Sequence, residues 1–220
     1  MKAVIRSEFS TSLGAMFAAS LPQLVEQLPG WRIPLAQPER RTIENPFTGD
    51  LIPNVLTRDP GPRTHPPIPK VLAFPCVLLP FREDWEQNYF ALDLALSREP
   101  PLAQSTWEES WLQKTQERGL LMEPLCGGLD GVGDGRELLE VPARLVERLL
   151  QLRPSEVDAM AQDWLARCYE PADDPVQYLA QFCELAHLAA AGGQRLFSWN
   201  ILPPHRERPG SAPRQEHRRR

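Results

Sequence analysis

Asp130 and Asp134 stand four residues apart in the run from Cys126 to Gly135, where carboxylates and glycines are spaced as in a cation-binding loop. A calcium loop needs oxygen ligands at positions 1, 3, 5 and 12 and glycine at position 6. Counted from Asp130, Asp134 and Gly135 fill positions 5 and 6, but Val132 and Val141 fall where oxygen ligands are required. No GK[ST] follows, so the run is not a phosphate loop either. It reads as a flexible glycine loop. Asp130 and Asp134 are kept as candidate partner or ligand contacts, and 126–135 is where a site would lie if the chain were an enzyme.

Cys183 and His187 are four apart on an expected helix, and Cys168 could join them from the helix before. Zinc needs three or four such ligands. Of the four histidines, His205 and His217 lie near the C-terminus, and Cys183 belongs to an apolar stripe. The set reads as core filler. No G-x-S-x-G, H-E-x-x-H or G-x-G-x-x-G occurs, and these patterns carry the nucleophile, zinc and dinucleotide chemistries. Asp173-Asp174 and Glu108-Glu109 read as helix caps or solvated faces, with Asp173-Asp174-Pro175 at the positive end of a helix dipole. No catalytic residue, cofactor or metal is assigned. Trp107 and Trp111, two of six tryptophans, share one helix face and join Asp130 and Asp134 as candidate contacts, since aromatic side chains anchor interfaces.

The charge pattern selects among partners. The net charge is −5, but residues 205–220 hold six arginines against two glutamates, so residues 1–204 carry 27 acidic and 18 basic side chains. An acidic body repels nucleic acid and anionic membranes and attracts a basic protein. The arginines lack interleaved aromatics and would give only weak, non-specific attachment to phosphate. No run of 18 apolar residues suggests a membrane span. The N-terminus has no signal-peptide core, and four widely spaced cysteines without a CxxC pair read as reduced thiols in the cytoplasm.

The elements that must position these residues follow from periodicity. Leu13, Phe17, Leu21, Leu24 and Leu28 recur at three and four, predicting a helix from Ser12 to Leu28, which Pro22 either kinks or restarts as a second helix, after a short strand within 3–9. Asn45 to Asp50 turns a hairpin between Arg41–Glu44 and Leu51-Ile52. Residues 59–69 are a proline-rich loop, and 70–81 read as a buried, irregular strand pair. Residues 85–97 fit strand or helix, with helix preferred because good helix formers run throughout.

Ser105-Thr-Trp-Glu108 matches a capping box for a helix ended by Gly119. Pro142 opens a helix carrying Leu145, Leu149 and Leu152. Ser155 is expected to cap the helix of Val157, Met160, Ala161, Trp164, Leu165 and Cys168. A further helix over 175–191 carries Leu179, Phe182, Cys183, Ala186 and Ala190 and ends at Gly192-Gly193, and a short strand runs from Leu196 to Ile201. The expected fold is α+β and predominantly helical, a C-terminal helical layer packed on a small irregular antiparallel sheet. It forms one domain over 1–204 with a disordered basic tail over 205–220.

Three stretches carry a resemblance. They are Trp31-Arg-Ile-Pro-Leu35, Asn45-Pro-Phe-Thr-Gly-Asp50, and the C-terminal helices ending in Ala189 to Trp199. Their order is similar to small cytoplasmic immunity-type proteins that accompany bacterial polymorphic toxins, over about half the chain, although the paired CxxC of some such families is missing. The resemblance implies a non-enzymatic protein that neutralises a toxin by tight binding, and it carries over no site residues. An acidic, aromatic surface suits a basic toxin.

Overall fold

The computed structural model of the chain describes residues 5–28, 42–44, 51–53, 69–81, 85–99, 124–127, 136–168 and 173–201. Within them lie nine strands: β1 Phe9–Ser10, β2 Ala15–Ala19, β3 Thr42–Glu44, β4 Leu51–Pro53, β5 Val71–Leu72, β6 Cys76–Leu78, β7 Pro124–Gly127, β8 Arg136–Glu140 and β9 Arg195–Ile201. Five α-helices accompany them: α1 Leu21–Gln27, α2 Trp85–Leu96, α3 Ala143–Gln151, α4 Val157–Leu165 and α5 Pro175–Ala191. The fold is α+β. No helix among the described residues is long and apolar enough to cross a membrane.

A five-stranded antiparallel sheet in the order β6-β2-β9-β8-β7 organises the structure. Side chains alternate between its faces with the two-residue period of a strand. Met16, Ala18, Val77, Leu139 and Leu196 point to the side of α2, α3, α4 and α5. Ala15, Phe17, Cys76, Leu138, Phe197 and Trp199 point to the other side, where α1, Phe9, Leu72 and Phe74 cover them. Phe17 sits between Phe9, Phe74 and Phe197 with ring centroids 5.4, 5.0 and 5.8 Å away, spacings at which aromatic pairs add to plain burial. β1 and β5 form a short ribbon over this face, and Gln27 of α1 clamps it by pairing its side-chain amide with both backbone groups of Ala73.

The expected helix from Ser12 to Leu28 is corrected. Residues Ala15–Ala19 are a strand buried completely on both sides, and Leu13 is exposed. An uninterrupted apolar run is what a doubly covered strand requires, and burial between two cores overrides the helix propensity of alanine and methionine. The helix begins only after Ser20, whose hydroxyl accepts from the Gln23 N–H while the Gln23 side-chain oxygen Oε1 accepts from the Ser20 N–H at 2.8 Å. That capping box, with Pro22 in the first turn, starts the helix there.

The other expectations divide. The hairpin pairs Thr42–Glu44 with Leu51–Pro53, and 85–96 is helical. β5 and β6 do not pair with each other as expected: β5 joins β1 and β6 joins β2. Arg6 meets Cys76 in a bridge, so the early strand reaches β6. Ser155 does not cap α4; it lies in a 3-10 turn, Pro154–Glu156, tied by Glu156 to Arg153. On α5, Leu179, Phe182, Cys183 and Ala186 are buried as expected, while Ala190 is exposed and Leu185 and Ala189 take its place. Asp174 caps α5 by accepting from the Gln177 N–H at 3.0 Å. Gly193 turns the chain into β9 with φ of 59°, a conformation that suits a residue without Cβ. Residues 59–68, the helix expected from Ser105 to Gly119 and the tail 205–220 lie outside the described residues.

Phe197 is fully buried between β2 and β8, whereas Leu188 on α5 is 40% exposed. Phe197→Ala should cost about 3–5 kcal/mol and Leu188→Ala under about 1 kcal/mol, read as urea midpoint shifts at constant m-value. Similar losses at the two positions would contradict the placement of β9.

Candidate functional site

Asp130, Asp134, Trp107 and Trp111 lie outside the described residues, and of the glycine run only Cys126 and Gly127 are described, as the end of β7. Cys183 is buried with His187 exposed on the next turn of α5, so the two do not converge. Among the described residues no group of three or more His, Cys, Asp or Glu side chains is placed to hold a metal ion. Asp173 and Asp174 are exposed, and Asp174 acts as the helix cap.

What the fold gathers instead is a set of polar side chains on the helix-facing side of the sheet. Buried there are Ser198, Asn200 and Glu137, with Asn88 and Tyr89 on α2. β9 places Ser198 and Asn200 two residues apart on one face, and its register sets Glu137 of β8 directly opposite Asn200. The Ser198 hydroxyl donates to Asn200 Oδ1 at 2.8 Å. Its single proton is then committed, so the Tyr89 hydroxyl, 3.0 Å away, is the donor to Ser198 Oγ. The order Tyr89 to Ser198 to Asn200 is thus a directed chain ending on an amide carbonyl.

Burial pushes the Tyr89 phenol well above its ordinary range, and its bond to Ser198 opposes this only in part. The ring stays neutral and remains a donor. Ser198 gives its proton to a carbonyl with no basicity to accept it fully, so this chain orients groups and does not by itself activate Ser198 as a nucleophile. Asn88 is fully buried, and neither atom of its amide has a hydrogen-bond partner among the described residues; the same holds for Asn200 Nδ2. The Asn88 backbone carbonyl accepts from Trp164 Nε1 at 3.2 Å, which ties α2 to α4.

None of these five residues was singled out from the sequence. The signal was present in Leu196-Phe-Ser-Trp-Asn200: one parity of the strand holds Phe197 and Trp199, and the other changes from apolar Leu196 to polar Ser198 and Asn200. A strand buried on both faces that turns polar on one of them marks a buried polar cluster.

The described thiols are quiet. Burial raises Cys76 from 9.0 to about 11, opposed by the charge of Arg6. It raises Cys168 to about 12, opposed by Trp164, and Cys183 to about 12. A thiol two units above its ordinary value holds roughly a hundredfold less thiolate at neutral pH. In a Cys126→Ser variant, which leaves these three, reaction with a chromogenic disulfide at pH 8 should be about a hundredfold slower in the native protein than in urea. Equal rates would contradict the burial. The folded state keeps these protons to higher pH than the unfolded chain does. Their contribution to stability is therefore complete below pH 9 and falls as pH rises toward the folded values of about 11 and 12.

No protein-family model matches this chain, and no curated protein or solved structure matches it.

Proposed function

We propose that this chain is a non-enzymatic binding protein of the cytoplasm, immunity-like, that neutralises a basic protein partner such as a toxin through an acidic surface. The observation that carries the reading is a set of uncompensated carboxylates. Glu147 on α3, Asp158 on α4, and Asp173, Asp174 and Glu184 at the start and middle of α5 are exposed, with no cation within 4.0 Å among the described residues. Cations of the same region face other carboxylates: Arg98 and Arg153 pair with Glu156, Arg195 with Glu140, and Arg144 and Arg148 with Asp93. A helical layer that leaves these five exposed carboxylates without a paired cation steers a cationic partner and fixes its orientation more than it adds raw affinity.

Trp164 and Trp199 are completely buried and serve the core. Trp107 and Trp111, with Asp130 and Asp134, stay the candidate contacts proposed from the sequence, and all four lie outside the described residues. The buried Tyr89–Ser198–Asn200 chain supports a structural role for the polar interior, since it ends on an amide.

Co-expression with the product of the neighbouring gene tests the reading. A stable complex is expected whose association slows with added salt and weakens at least about tenfold in Asp158→Lys/Glu184→Lys. No complex, or one indifferent to both salt and charge reversal, would contradict it.

A further inference from the structure

Asp93 is fully buried on α2, yet it faces two guanidinium groups that are not. Arg144 Nε donates to Asp93 Oδ1 at 3.2 Å, and Arg148 Nε lies 3.1 Å from the same oxygen. The two arginine side chains are 36% and 29% exposed. Arg144 is held by a hydrogen bond from its inner nitrogen, whereas Arg148 Nε stands at ion-pair distance from Asp93 without a hydrogen bond of its own. The Nη nitrogens of both arginines make no hydrogen bond among the described residues.

The arginines share a stripe of α3 with Glu147 and Gln151, at spacings of three and four, and these four residues line an open cleft of about 310 Å³. One guanidinium neutralises the buried carboxylate, and the second is balanced only by Glu147, exposed on the cleft wall and not within 4.0 Å of either arginine. Both Nε atoms approach one oxygen, so they lie within roughly 6 Å of each other; Asp93 offsets part of their mutual repulsion, and a second anion between them would offset more.

We propose that this cleft binds a phosphoryl group, held between the Nη edges of Arg144 and Arg148. Two planar forks offer paired donors to a tetrahedral oxyanion with three or more terminal oxygens, which a two-oxygen carboxylate cannot satisfy at once. Gln151 adds an amide donor at one end of the stripe. Glu147 is exposed on the cleft wall and opposes an anion. Asp93 acts as a positioning residue: it fixes both guanidiniums without touching the bound group. The site goes beyond the proposed protein-binding role and does not rest on it.

Titration of the full-length protein with inorganic phosphate at low ionic strength, followed by the amide resonances of α3, tests the proposal. Saturable shifts with a millimolar midpoint are expected, the range of a few charge-assisted hydrogen bonds. Arg144→Lys keeps the charge and leaves Arg148 on Asp93 but loses the fork; it should weaken binding about fivefold or more. Glu147→Gln, which does not contact Asp93, should tighten it about threefold by removing the opposing charge. Phenyl phosphate distinguishes the source of the group: tighter binding than phosphate assigns a monoester, and equal or weaker binding assigns the free ion. Shifts that do not saturate by about 20 mM, acetate binding as tightly as phosphate, or midpoints unmoved in both variants would overturn the site.

Discussion

β9 carries the hydrogen-bond ladder of both halves of the main sheet, and the rest of the structure depends on that double pairing. Its residues Arg195 to Trp199 pair with β2, and Phe197 to Ile201 pair with β8. The last strand described along the chain is thus the middle strand of the sheet. Without it β2 and β6 would be separated from β8 and β7, and each pair would expose a row of unpaired backbone groups. Because β2 lies near residue 15 and β9 near residue 200, the central ladder closes over most of the chain, a long-range pairing of the kind that slows folding.

That placement also decides where chemistry can sit. A central strand covered on both faces forces each of its side chains into one of two cores. Phe197 and Trp199 enter the aromatic core under α1, where Trp199 Nε1 finds the Thr11 carbonyl at 3.1 Å. Ser198 and Asn200 enter the helical side and must find partners there, which Tyr89 supplies from α2. One turn further along α2, Asp93 is buried on the same helix and draws Arg144 and Arg148 inward from α3. The polar interior is therefore continuous with the helix packing: α2 presents hydroxyl toward the sheet and carboxylate toward α3. Desolvated groups of this kind cost stability unless satisfied, which is why their partners come from elements distant in sequence.

Much of the fold was legible in the residues. Strong single stripes such as Leu145 with Leu149, or Leu179 with Phe182 and Ala186, mark helices because one face alone is apolar. β2 reads as helix because alanine and methionine suit a helix and Leu13, Phe17, Leu21 and Leu24 fall into helical spacing by coincidence; only burial on two sides makes it a strand. β8 was not anticipated at all. In Arg-Glu-Leu-Leu-Glu the two leucines are adjacent and enter opposite cores, so no alternation appears. The polar cluster and the Asp93 pair were hidden for a related reason: each joins residues more than fifty positions apart, and a local window cannot see them. Asp130, Asp134, Trp107 and Trp111 rest on local spacing alone and lie outside the described residues.

Amide hydrogen exchange measures the central claim directly. The account predicts that the amides of Leu196 to Asn200 and of Met16 to Ala18 exchange slowest and with one common opening free energy, equal to that of global unfolding. Exchange from β9 faster than from α5, or equal to that of the β3–β4 hairpin, would show that the sheet does not close through its last strand.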